Sequence, residues 1–308
     1  MKQFEFNYTK NFSCINSKCK HNCCVGWKIK VDKSSLKNYA TLSEKDIRFE
    51  GNITNDNFFN LDKELRCPFL DKDNLCHIIK NYGEKFLCKT CKTHPRFKNF
   101  FSDRVETGLG LYCEEACRLI LTNKKKMKVV VNKDDNKNTC LRKFEKQIFS
   151  FRNKVIKIAQ NRKLTIQERL EQLKVLSDID IDKLSFDKWK NIFCSLEKLS
   201  VNEYSFNDLQ NSPNFSSVDQ NFSSEYEQLL CYLAFRHISR AFDLLDLRIR
   251  LAFVILCFKM ISHIFNTLKE KDLSSLIEVC RFFTSEIECS DKNQNQLLNQ
   301  IELLVCYK

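Results

Sequence analysis

Glycine and proline are scarce in this chain, 5 and 3 residues of 308. All five glycines and two of the three prolines fall within the first 110 residues. No G-x-G-x-x-G string follows a strand-like segment, which argues against a conventional doubly wound nucleotide-binding domain. The only G-x-G, Gly108-Leu109-Gly110, reads as a turn. Long apolar runs are also missing. The best of them, LAFVILCFKMISHIF at 251–265, contains Lys259 and is shorter than the roughly 20 residues a membrane span needs. The opening MKQFEFNYTK holds no signal-type apolar core, because Glu5 and Asn7 interrupt it. The expectation is a soluble, cytoplasmic chain that does not enter a membrane. Its 43% apolar content suffices for a full core.

Cysteine is abundant, at 17 residues. Thiols stay reduced in an ordinary cytosol, so a disulfide framework is not the expected explanation. Their distribution is uneven, with ten cysteines before residue 118 and seven over the rest. The spacing runs C-x4-C-x3-C-C from Cys14 to Cys24, then RCPFLDKDNLCHI, LCKTCKTHPR and CEEACRL. Each box pairs thiols with turn formers such as Gly26, Pro68, Asp71, Asn74 and Pro95. Clustered thiolates are soft ligands suited to zinc or an iron–sulfur cluster, each of which needs about four of them. The C-x3-C-x2-C triplet of radical enzymes that cleave S-adenosylmethionine is not met, since Gly26 occupies the third place after Cys19 and Cys23. Paired zinc knuckles are missing too, because Cys88 and Cys91 form the only C-x2-C.

The net charge of +12 is carried by the same region, with 27 Lys/Arg against 17 Asp/Glu through residue 138 and 24 against 22 after it. That excess suits an acidic protein partner; nucleic acid is a disfavoured alternative.

Three regions are expected: a Cys-rich, loop-dominated metal-binding region at 1–120, a charged connector at 121–138 whose VVV stretch can form one edge strand, and a helical bundle at 139–308 with a loop around 200–221. Leu141, Phe144, Ile148, Phe151, Val155 and Ile158 recur at helical spacing, and Thr165 precedes a second such series as a capping residue. Further helices are expected near 222–241, 244–268, 272–288 and 293–305. The predicted class is mainly α, an irregular bundle with few or no strands.

Taken in order, FSCINSKCKHNCCVGWKIKVD, RCPFLDKDNLCHI, TCKTHPR, CEEACRLIL, RKLTIQERLEQL and YEQLLCYLAFRHISRAFD resemble the flagellin lysine-N-methylase family over nearly the whole chain. The resemblance implies methyl transfer from S-adenosylmethionine to flagellin lysine ε-amines, with a Cys-ligated iron–sulfur cluster, [4Fe–4S] in type, or zinc as the alternative. It places Cys14, Cys19, Cys23, Cys24, Cys67, Cys76, Cys91 and Cys113 on the family's cysteine positions. Cys88 and Cys117 fall outside that pattern, and His21, His77 and His94 read as loop residues. Trp27, Asp32 and Arg96 are the donor-site candidates; no catalytic residue is identified. The rival reading is a non-enzymatic zinc or iron–sulfur module for redox sensing or partner docking.

Overall fold

The computed structural model describes residues 1–133, 140–199, 205–209 and 218–306. Two hydrophobic cores organise them, a small one within 24–91 and a large one shared by a sheet and the later helices.

The expectation of few or no strands is incorrect. Strands β1 (Lys2–Phe6), β2 (Arg96–Phe100), β3 (Arg104–Leu109) and β4 (Val129–Lys133) form a mixed sheet in the order β2-β3-β1-β4. β1 runs parallel to β3 and antiparallel to β4, while β2 and β3 make a hairpin. β1, β2 and β3 leave no signal in the sequence because each has only five or six residues and β1 finds its partner some hundred residues away. Gly108 added a false turn signal. It lies inside β3 opposite Phe97, where a Cβ would stand 2.4 Å from the Phe97 ring, so the strand takes glycine to admit that ring. The VVV segment does form an edge strand, β4.

Between β1 and β2 the chain makes the Cys-rich excursion. It is not all loop: α1 (Lys33–Ser43), α2 (His77–Tyr82) and α3 (Lys89–Thr93) surround the small core of Tyr39, Phe49, Phe59, Phe69 and Ile78. Asp32 starts α1, accepting the Ser35 N–H at 3.1 Å.

After β3, α4 (Glu114–Leu121) leads to β4, and the bundle follows as α5 (Lys143–Ala159), α6 (Ile166–Ser177), α7 (Phe186–Cys194), α8 (Ser223–Ile238), α9 (Leu244–Thr267), α10 (Leu273–Glu288) and α11 (Asp291–Cys306). The helical periodicity is therefore realised within a few residues of its expected bounds. Thr165 caps α6 in a reciprocal box: its Oγ1 accepts the Glu168 N–H at 3.2 Å and its own N–H donates to Glu168 Oε2 at 2.7 Å. α9 is apolar all round and is accordingly buried on nearly every side from Leu251 to Phe265. Of the loop expected around 200–221, residues 200–204 and 210–217 lie outside the described residues, as do 134–138 of the connector and residue 139 after it.

The sheet packs onto α8, with the Phe6 ring 4.2 Å from Phe235 and Phe97 edge-on to Tyr232 at 6.2 Å. Arg152 of α5 pairs with Glu106 of β3 inside this layer, and its Nη1 donates to Ser239 Oγ at 2.6 Å. Among the described residues no helix is long and apolar enough to cross a membrane.

Candidate functional site

The excursion gathers its thiols through backbone pairing. The Cys67 N–H donates to the Cys24 carbonyl at 2.8 Å, and Leu70 bridges to Cys76. The intervening turn is held by Asp71, whose Oδ1 accepts the N–H groups of Asp73 and Leu75 at 2.9 Å, with Asn74 at φ 58°. Cys88 precedes α3 and Cys91 sits one turn inside it. Their thiols are hydrogen-bonded, which draws Cys88 down to about 7 and pushes Cys91 up. Burial raises Cys76 and lifts Cys67 to about 12.

Cys24, Cys67, Cys76, Cys88 and Cys91 thus share the small core. Cys14 and Cys19 lie near Cys113, and Cys23, hydrogen-bonded to Cys24, is close enough to Cys76 and Cys113 to influence both. Cys14 is exposed. Cys113 is raised to about 11 by burial, and Cys19 is raised by burial and by Glu114. Glu114 fastens the loop of Cys19 to the main body: its Oε2 accepts the Lys20 N–H at 2.8 Å and the Cys19 thiol at 3.4 Å.

The histidines nearby are engaged in protein contacts. His21 Nε2 meets Glu278 Oε2 at 2.6 Å, and His77 uses Nε2 on Asp46 and Nδ1 on Asn81. His94 is pushed down to about 4 by burial and by Arg96. The donor type suits a soft metal, but among the described residues no three Cys, His, Asp or Glu side chains are grouped so as to hold a metal ion. The region supplies thiols in proximity, not a finished ligand sphere.

Of the donor-site candidates, Trp27 is half-buried against the small core. Both Asp32 oxygens are occupied: Oδ1 by Ser34 and the Ser35 N–H, Oδ2 by Ser35 Oγ and the Lys89 N–H at 2.7 Å. Arg96 is exposed and stacks its guanidinium over Phe12 at 5.1 Å.

A second feature had no local signature in sequence. A cleft of about 750 Å³ opens where four elements meet. β2 contributes Lys98 and Phe100, the start of α5 contributes Arg142, Phe144 and Glu145, the end of α8 contributes Arg236 and Arg240, and the α10–α11 junction contributes Glu288 and Asp291. Its inner wall is a polar cluster. Tyr232 donates to Glu288 Oε2 at 2.6 Å, His237 Nε2 lies 3.2 Å from Oε1, and Arg236 Nε lies 3.3 Å from Oε2. Burial alone would raise Glu288, but His237, Arg236 and Tyr232 outweigh it and hold the carboxyl below its usual range. Burial lowers His237, while the Glu288 carboxylate that its Nε2 meets works in the opposite direction. Arg236 and His237 were visible in the late helix; the cleft around them was not, since its walls are assembled from distant segments.

The chain is 33% identical over 150 residues to the flagellar biosynthetic protein FliU of Salmonella muenchen, covering 44% of this chain and 87% of that protein. It is 34% identical over 129 residues to lysine-N-methylases of Salmonella typhimurium and Salmonella choleraesuis, covering 38% of this chain and 31% of each of theirs. The match therefore spans about a third of those two enzymes. No family model and no solved structure matches the chain.

Proposed function

Because this chain belongs to the family of the flagellar biosynthetic protein FliU and the lysine-N-methylases, we propose that it is a cytoplasmic protein-lysine N-methyltransferase that modifies flagellin with S-adenosylmethionine as methyl donor. The observation that carries this reading is the alignment to 87% of FliU, seconded by the likeness to proteins named for lysine N-methylation.

Transfer from a sulfonium to an amine is an in-line displacement, so the protein must align donor and acceptor and receive the lysine without its proton. A free lysine, with a pKa near 10.4, is neutral in only about one copy in a thousand at pH 7. A partly desolvated cleft favours the neutral amine and supplies part of what is missing. The excess of basic residues before residue 138 suits an acidic protein surface.

We assign an iron–sulfur cluster, with zinc as the alternative, to the cysteine lobe, on the chemistry of its thiols and the proximity of Cys24, Cys67, Cys76, Cys88 and Cys91. When bound, such a group would tie the loops of the lobe together.

The test is direct. Protein purified without oxygen is analysed for iron, sulfide and zinc, then incubated with flagellin and methyl-labelled S-adenosylmethionine, and the flagellin is mapped by mass spectrometry. Label on lysine supports the reading. A metal-loaded chain that transfers nothing overturns it and leaves the docking or redox module standing.

A further inference from the structure

The cleft between β2, α5, α8 and the α10–α11 junction is unlike an ordinary surface hollow in its charge layout. Its lining holds four cations, Lys98, Arg142, Arg236 and Arg240, and three carboxylates, Glu145, Glu288 and Asp291. A polyphosphate would face all three carboxylates. A zwitterion meets opposite charges at each of its ends.

Arg236 is the centre of the cationic side. Its side chain is 12% exposed, its guanidinium lies 4.2 Å above the Phe97 ring, and its buried Nε finds no aligned hydrogen-bond acceptor. Its Nε leans on Glu288 at 3.3 Å, while its terminal amino groups have no protein acceptor among the described residues and are left to receive a second, planar carboxylate from the cleft. The acidic side is uneven. Glu145 is taken by Ser102 and the Arg142 N–H, and Glu288 by Tyr232, His237 and Arg236 itself. Asp291, 85% exposed, is met by Arg240 only at 3.7 Å and is available to an ammonium group. At the mouth, Phe100 is 72% exposed on the same face of β2 as Lys98, an uncovered ring beside a polar cleft. A volume of about 750 Å³ admits a ligand of cofactor size.

We propose that this cleft is the methyl-donor pocket, in which Arg236 pairs with the α-carboxylate of S-adenosylmethionine, Asp291 with its α-ammonium, and Phe100 packs against its adenine. This rests on the reading of the chain as a methyltransferase. It moves the donor away from Trp27 and Asp32 and keeps it on the strand that begins with Arg96.

The experiment measures binding of S-adenosylmethionine and of its decarboxylated analogue to the full-length protein by calorimetry, for wild type, Arg236→Gln, Lys98→Glu and Phe100→Ala. Wild type should prefer the carboxylated ligand at least tenfold. Arg236→Gln should erase that preference, a result that general loosening of the fold would not produce. Phe100→Ala alters an exposed position and should weaken binding severalfold with an unchanged melting temperature, whereas Lys98→Glu, an exposed lining position outside the three contacts, should not weaken it. Equal affinity in wild type and all three variants overturns the pocket and leaves the methyltransferase reading intact. No binding by folded wild type overturns both.

Discussion

Arg152 Nη1 stands 2.5 Å from Glu106 Oε2, and its Nη2 stands 2.9 Å from Oε1, a two-pronged ion pair whose side chains are 3% and 1% exposed. It joins β3 to α5, and with them one wall of the cleft to the sheet. A buried pair of this kind adds little net stability over an apolar replacement, yet removing one partner strands the other's charge. Glu106→Gln or Arg152→Met alone should cost about 3–5 kcal/mol in urea unfolding. The double variant should recover a large part of that loss, which a double-mutant cycle measures.

Gly108→Ala should destabilise the chain by about 1–3 kcal/mol, because the new methyl would meet the Phe97 ring at 2.4 Å. Combining it with Phe97→Leu should return part of the lost stability. A Gly108→Ala protein that melts with wild type would show that the ring moves aside freely.

Asp32 gives the small lobe an acid limb. Hydrogen bonds from Ser34, then from the Lys89 N–H and Ser35, hold its carboxyl well below the usual range. A depressed folded value means that the stabilisation is complete above the unfolded value of about 3.9 and is lost as pH falls through the folded one. Asp32→Asn should therefore narrow the stability difference between pH 5 and pH 2 relative to wild type. Asp32→Ala should cost about 1 kcal/mol at neutral pH by removing the α1 cap. Melting curves across that range check both.

Glu114→Ala should free the Cys19 loop, since one carboxylate oxygen accepts from Cys19, Lys20 and His21. Cys14 and Cys19 should then be alkylated severalfold faster, with Cys231 and Cys257 in the large core unchanged. Peptide mass mapping after timed alkylation reads this out. Equal rates would mean that the His21–Glu278 contact alone secures the loop.

The helices could be read in sequence because their information is local: the Thr165–Glu168 box and the apolar series around Leu170 and Leu173 lie within single turns of chain. The sheet could not, because Phe4 and Glu106 are neighbours only after folding, and nothing in KQFEF names RVETGL as its partner. The same contrast governs the sites. The cysteine boxes stand out by spacing, and the structure gathers Cys24, Cys67, Cys76 and Cys91 of the eight candidates in the small core, with Cys88, outside the family pattern, hydrogen-bonded to Cys91. Cleft residues such as Lys98 and Asp291 carry no signature at all; their meaning comes from four elements meeting.

The parallel pairing of β1 with β3 also sets a timetable. During synthesis the first strand leaves the ribosome about a hundred residues before the strand it will lie beside, an interval of roughly 5–20 s at about 5–20 residues per second. For most of that wait the cysteine lobe is itself still emerging, and its small core is complete only once Cys91 has followed Phe69 and Ile78, shortly before β3. The exposed life of these thiols on the nascent chain therefore closes only when α4 arrives and Glu114 fastens the Cys19 loop down.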